Sequence, residues 1–239
     1  MEYEAFLALA KKRRSIRRFK PDPLPEGSIE KILEVARLAM SGANGQPWEF
    51  VVVKDAVTKG QIGKIIDGRQ QRHYDVELSR VPELRHPNLV SEEMVSTQVR
   101  TVSSAAAIIV VCGDPRAFQA TVLGNQFFSG EQDIFHMNLA NATMLIHLAV
   151  ASLGLGSAWV TVDRPAEHQL KELLGIPIEF KIYVMVPVGH RHPEYEPLPS
   201  YRREVKEITH YERYDKSRYR TGKDILEWLA KLRTRDWKR

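Results

Sequence analysis

Four arginines and a hydroxyl fall within six positions at Arg13-Arg14-Ser15-Ile16-Arg17-Arg18, and Pro21 and Pro23 end the run. A guanidinium is planar, permanently charged and carries five donors in a fixed fork, so it matches a phosphate better than the point charge of Lys does. If the segment turns out of a helix here, Arg13 and Arg17 lie one turn apart and Arg14 and Arg18 repeat that spacing, so that several side chains converge on one dianion. The competing reading is a solvated basic patch closing an amphipathic helix, because charge runs are commonly surface. A second stretch, Ser41-Gly42-Ala43-Asn44-Gly45-Gln46-Pro47-Trp48, follows about 25 residues later. Its small residues let a backbone approach a flat ligand closely. Asn44 and Gln46 can each donate and accept hydrogen bonds. Without the arginines this stretch would read as an ordinary helix-to-strand turn.

The surrounding elements can be read from periodicity. Phe6, Leu7, Leu9 and Ala10 beside Lys11 and Lys12 predict an amphipathic first helix over residues 2–13. Residues 20–27 are proline-broken and extended, and Ser28 is expected to cap a helix over 29–40. The continuous apolar run in 49–54 predicts a strand covered on both faces. Residues 57–66 look helical, whereas 67–95 are polar, without a clean period, and read as an irregular segment of the kind that is functional or mobile. His73, Tyr74, Arg80, Arg85 and His86 are candidates there for contacts to a substrate, or plain exposed residues. A second buried strand is expected at 105–113, with Cys112 a small buried hydrophobe, and a short helix plus a polar loop at 114–133.

Residues 134–153 predict the longest regular element, apolar nearly all round and therefore covered on all sides. Gly154 stops it. His136, Asn138, Asn141 and His147 interrupt it, and His147 reads as a satisfied core or interface histidine. The run Gly154-Leu155-Gly156-Ser157-Ala158-Trp159-Val160-Thr161 begins as a turn and becomes a strand. It lacks the third glycine of a dinucleotide fingerprint and follows a helix, so that reading is rejected. A short helix at 166–174, a strand at 180–189 and an amphipathic helix at 224–232 complete the chain. No Cys, His or carboxylate cluster has metal-site spacing.

The motifs RRSIR and SGANGQPWEFVVV, with LGLGSAWV at 153–160, resemble the nitroreductase family of flavoenzymes over roughly residues 6–210. The resemblance implies an α+β fold: a central, mostly antiparallel sheet flanked by helices, a long buried helix at a homodimer interface, and an extended C-terminal arm. It implies an FMN-binding domain over 1–210 with a lid at about 67–96, and a helical extension over 211–239. FMN would then bind non-covalently with its phosphate on Arg13, Arg14, Ser15, Arg17 and Arg202. Ser41, Gly42, Asn44, Gln46, Gln98, Trp159, Val160 and Thr161 would contact the rest of it, with the turn amides near the flavin N5. Arg202 enters because SYRREVKEI at 200–208 is similar to the family's closing Arg-Lys-Pro-Leu-x-x-Ile segment; here Arg203 replaces the lysine and Glu204 the proline. No nucleophile–base pair is expected, since the cofactor carries the chemistry.

The implied activity is NADH- or NADPH-driven, ping-pong reduction of a small nitroaromatic, quinone-like or other conjugated acceptor. The alternatives are specialised flavin chemistry (substrate dehydrogenation, dehalogenation or flavin fragmentation) and a non-catalytic flavin-binding protein. Iodotyrosine deiodinases in the family grip an amino-acid zwitterion with a Glu-x-x-x-Tyr and a later Lys in the lid, a spacing that 67–96 lacks.

Composition bounds these readings. A chain of 239 residues with 43% hydrophobic content can bury a substantial core. No apolar run is expected to span a bilayer, and the N-terminus has no signal-peptide pattern. One cysteine fits a reducing cytoplasm. A net charge of +5 suits an anionic cofactor and does not by itself argue for nucleic acid, although the basic tail leaves that possibility to be tested.

Overall fold

The computed structural model describes residues 2–82, 85, 99–117, 131–197 and 202–234. The chain divides into two compact units, residues 1–195 and 196–239.

The first unit is built on a four-stranded sheet of β1 (Trp48–Val53), β2 (Ala107–Gly113), β3 (Gly156–Ser157) and β4 (Lys181–Gly189). The order is β1-β2-β4-β3 and every pairing is antiparallel. Every residue of β2 is buried. Its side chains alternate between two cores, as the two-residue period of a strand requires. Ala107, Ile109 and Val111 join one cluster and Ile108, Val110 and Cys112 the other. The first cluster is closed by α2 (Ser28–Ala36) and α4 (Glu131–Ser152). The second is closed by α3 (Ala56–Ser79) and α5 (Arg164–Leu174). Helices on both faces explain why β2 is a continuous apolar run in an antiparallel sheet. β1 differs from expectation: it is an edge strand whose central residues are partly exposed, because it has a neighbour on one side only.

The register slips once. Val111 faces Val184 but Cys112 faces Ile182, so Tyr183 is the extra residue of a bulge. The slip moves Ile182 into the second core, while Val184, Val186 and Val188 stay in the first. Tyr183 is left at the sheet surface, where its ring meets Trp159 at 5.4 Å and His136 at 5.9 Å. Bulges commonly re-aim one side chain in this way.

Several helix boundaries differ from the sequence reading. α1 spans Tyr3–Lys12 as expected. In α2 the capping position is Gly27, with φ 71°, and Ser28 is the first helical residue. That helix ends at Ala36, where Leu38 and Ala39 donate to carbonyls three residues back, at 3.2 and 3.1 Å, and tighten the last turn. α3 continues to Ser79 and, at 24 residues, is longer than the 22-residue α4. Residues 67–79, read as irregular, are therefore helical. Their period was obscured because the buried positions include Arg69, Gln70 and Glu77.

By length and composition, 134–152 within α4 would suffice to cross a bilayer, contrary to the expectation that no such run exists. Its Leu139, Ala142, Ile146, Ala149 and Val150 instead pack into the first core. Most of the predicted loop at 114–133 lies outside the described residues.

The second unit contains α6 (Val205–Ile208), a 3₁₀ turn at Lys216–Arg218 and α7 (Gly222–Thr234). It is a compact unit in its own right.

Candidate functional site

The arginine segment is not helical. α1 ends at Lys12, Arg13 has φ −61° and ψ 122°, and the chain runs on extended. The helical spacing of Arg13 and Arg17 is therefore absent. The segment is pinned to the sheet edge instead. Ser15 bridges Ser157 in parallel, and the Ile16 amide donates to the Ser157 carbonyl at 2.8 Å. The Tyr195 hydroxyl donates to the Ser15 carbonyl at 3.3 Å, and the Thr101 hydroxyl to the Arg17 carbonyl at 2.8 Å. Ile16 and Phe19 are buried, which fixes the strip. Gly156 is needed at its crossing, because a Cβ there would lie 2.8 Å from Ile16.

Ser157 connects this strip to α4. Its hydroxyl lies 2.7 Å from His147 Nδ1. The Trp159 ring stacks on His147 with 5.9 Å between centroids. Burial, aided by the nearby charge of Arg13, pushes the His147 pKa down to about 4, so its imidazole is neutral at ordinary pH. Arg13, Ser15, Ser157, His147 and Trp159 are thus gathered at the C-terminal half of α4, with half-buried Arg13 supplying the cationic charge.

The N-terminal half of α4 holds the 41–46 loop. Asn138 Oδ1 accepts the Gly42 amide at 3.1 Å, and Asn141 Nδ2 donates to the Met40 carbonyl at 3.1 Å. Just after these anchors three non-glycine residues have left-handed backbones: Ala43 (φ 50°), Asn44 (φ 55°) and Gln46 (φ 43°). Asn tolerates that region, but Ala and Gln pay about 1–3 kcal/mol each. Gln46 also precedes Pro47, which narrows its choices further. The loop is braced within itself by the Gln46 amide on Ser41 Oγ at 3.0 Å and by Gln46 Nε2 on the Asn44 carbonyl at 3.3 Å. Backbone strain of this kind clusters at ligand clamps and switch regions. Asn138 is buried, and its Nδ2 donor has no hydrogen-bond partner. A flat acceptor-bearing group such as a flavin fits that donor and the loop polar groups beside it.

Other expected contacts fall differently. Val160 is a core residue paired with Met185 in both directions at 3.0 Å. The amides of Gly154, Leu155 and Ala158 are likewise used internally, so few remain to face a ligand. Thr161 is exposed, and its hydroxyl accepts from Arg69 at 2.9 Å. Arg202 belongs to the second unit, and Gln98 and His86 lie outside the described residues. Arg80 pairs with Glu77 at 2.8 Å, and Arg85 donates to the Arg80 and Leu78 carbonyls at 2.9 and 2.7 Å, so both finish α3. Half-buried His73 has its pKa lowered by burial and by Arg69, and Tyr74 is half-buried beside it.

Sequence reasoning missed the strap that fixes α3. Arg72 donates twice to Asp163, at 2.9 and 2.8 Å, while Asp163 also caps α5 by accepting the Ala166 amide at 3.0 Å. It missed the anchoring role of Asn138, whose partner lies 96 residues away. Polar residues interrupting an otherwise apolar helix were the available signal. Among the described residues no group of three or more His, Cys, Asp or Glu could hold a metal.

The profile of the nitroreductase family matches residues 10–190. An iodotyrosine deiodinase of Thermotoga neapolitana is 30% identical over 82% of this chain and 91% of its own length. A provisionally named NADH dehydrogenase/NAD(P)H nitroreductase of Archaeoglobus fulgidus is 31% identical over 80% and 88%. A crystal structure of oxidised iodotyrosine deiodinase bound to FMN and 3-iodo-L-tyrosine superposes with TM-score 0.65 at 26% identity, covering 87% of this chain and 99% of that one. The chain belongs to the nitroreductase family and is an oxidoreductase of the flavin-dependent kind.

Proposed function

We propose that the chain holds FMN non-covalently along α4 and reduces a small conjugated acceptor. The observation that carries this reading is the strained 41–46 loop clamped to α4 by Asn138 and Asn141. Asn138 and Ser157's partner His147 are nine positions apart on that helix, about 13 Å along its axis. One helix thereby sets the spacing between the loop, which would meet the ring, and the Arg13–Ser15 strip, which would hold the phosphate with Arg14 and Arg17. Ser41, Gly42, Asn44 and Gln46 would orient the ring, with Gln98 and Arg202 as further contacts. Trp159 and Thr161 would line its edge. Bound flavin would supply the two-electron chemistry, with NADH or NADPH as the reductant and ping-pong kinetics as the expected pattern.

The protein works as a homodimer in this reading. Phe6 of α1, Val35 and Leu38 at α2, and Met137 and Met144 two turns apart on α4 are large exposed apolar side chains. A matching copy would cover them. A buried thiol at Cys112, its pKa raised to about 11 by burial, needs no oxidising compartment and supports a cytoplasmic setting. Neither nucleic acid nor a membrane enters the reading.

The test is an absorbance spectrum of the purified protein followed by anaerobic NADH and then NADPH. Flavin bands that bleach support the reading. Bands that persist point to another donor or a binding role, and a colourless protein that takes up no FMN refutes it. Dehalogenation is the second reading, favoured by the Thermotoga relative. Iodide release from 3-iodotyrosine by dithionite-reduced protein would select it, whereas the missing Glu-x-x-x-Tyr of residues 67–96 predicts none.

A further inference from the structure

The second unit contains a cleft of about 310 Å³ lined by Arg203, His210, Tyr214, Arg218, Tyr219 and Arg220. That volume is at the small end of the roughly 300–1,000 Å³ typical of small-molecule sites. Its wall is cationic. Glu207 is its one carboxylate, and Oε2 of that group accepts the Glu204 amide at 2.7 Å to cap α6. Two further carboxylates in the unit are also turned to backbone: Asp215 accepts the Ser217 amide at 3.0 Å and Asp224 the Thr221 amide at 2.7 Å.

The cationic groups are held in place with donors to spare. Arg203 donates to the Glu207 carbonyl at 2.6 Å. Arg218 donates to the Thr209 carbonyl at 3.0 Å and to the Lys206 carbonyl. The Arg220 guanidinium lies 4.9 Å above the Trp228 ring. A guanidinium has five N–H groups, so each keeps several for a ligand. His210 Nδ1 accepts the Asp215 amide at 3.2 Å, which puts the proton of the neutral ring on Nε2 as one more donor. Its ring lies 4.3 Å from that of Tyr214, forming an aromatic wall.

One donor of the lining, buried Arg220 Nη2, has no acceptor, and neither has Nε1 of Trp228, the ring against which Arg220 packs. Native proteins rarely leave such groups unanswered. Three arginines, one of them with an unanswered buried donor, an oriented histidine and two phenols call for a compact dianion rich in acceptor oxygens. We propose that this cleft binds a phosphate of its own, in addition to the one proposed for the Arg13–Arg17 segment, taking the phosphate of a monoester or the free ion. It gives the C-terminal unit a ligand-binding role beyond the single flavin contact proposed for Arg202.

The experiment is isothermal titration of the full-length, FMN-saturated protein with AMP and, separately, with inorganic phosphate. One equivalent of either should bind. The affinity should fall about tenfold or more in Arg203→Gln and in Arg220→Lys, as expected for loss of a charge-assisted bond. Flavin content and absorbance should not change in either variant. AMP binding well above phosphate identifies a nucleotide-type ligand through the aromatic wall. Equal affinities identify the phosphate group alone.

No binding of either probe overturns the proposal. So does unchanged affinity in both variants, or binding that FMN saturation abolishes, which would make the cleft part of the flavin site. If the protein takes up no FMN, the same titration is run on the protein as isolated. Failure of the flavin reading thus leaves this test intact.

Discussion

His147 and Asn138 make opposite demands on the same helix. His147 is held neutral: its pKa is lowered to about 4, mainly by burial and then by Arg13. The unfolded chain, with an ordinary imidazole near 6.5, therefore binds more protons between pH 6.5 and 4. The stability this group contributes is complete above pH 6.5 and is lost as pH falls through that window. The loss is about 2 kcal/mol at pH 5. Urea midpoints at pH 7.5 and pH 5 should draw together in His147→Gln relative to the parent; an equal drop in both proteins would show that His147 is not the titrating group. Asn138 has one bonded and one unbonded polar atom. Asn138→Leu removes the anchor on Gly42 and also the unpaired donor, so global stability should move by less than about 1 kcal/mol. Fluorescence titration should nevertheless show FMN binding at least about tenfold weaker, because the loop is released from its strained form. Undiminished FMN affinity would mean that the loop holds its shape without α4.

At the scale of elements, legibility tracked the source of order. β2, β4 and α4 could be read because burial on both sides writes a continuous apolar run. α3 beyond residue 66 could not, because its order comes from polar groups that meet partners about ninety residues away: Arg69 on Thr161 and Arg72 on Asp163. The left-handed residues of the 41–46 loop were equally hidden, since Ala43 and Gln46 carry no turn signature. What could be read from the two motifs was the family they resemble; the extended path that replaced a helix at Arg13 was set by pairing with Ser157. Asp163 joins α3 to α5, which makes it separable by mutation. Asp163→Ala loses both the cap and the ion pair and should cost about 2–3 kcal/mol. Asp163→Asn keeps a capping oxygen and should cost about half that. Thermal unfolding of the two variants measures the difference. Equal losses would put all of the effect in the ion pair with Arg72.

For the molecule as a whole, the proposed site and the proposed dimer depend on one helix. The inner side of α4 fills the first core and its polar positions hold the loop and the Ser157 turn, while Met137 and Met144 stay on the outside. Phe6 and Val35, on helices that pack beside α4, and Leu38, just past the end of α2, are exposed as well. Exposed apolar side chains on neighbouring helices suit a partner surface. A twofold copy would bury them and would place two α4 helices near each other, which links assembly to cofactor retention. Met137→Glu with Met144→Glu puts charge on both turns without touching the core or the loop anchors. Light scattering should report the mass of a dimer for the parent and of a monomer for the double variant. The monomer should stay folded by circular dichroism, because neither methionine is buried. Flavin content then separates two possibilities. A monomer that has lost its FMN indicates that the partner completes the site, whereas a monomer that keeps it indicates that one chain's α4, loop and arginine strip suffice. A variant that remains dimeric would remove this surface as the interface.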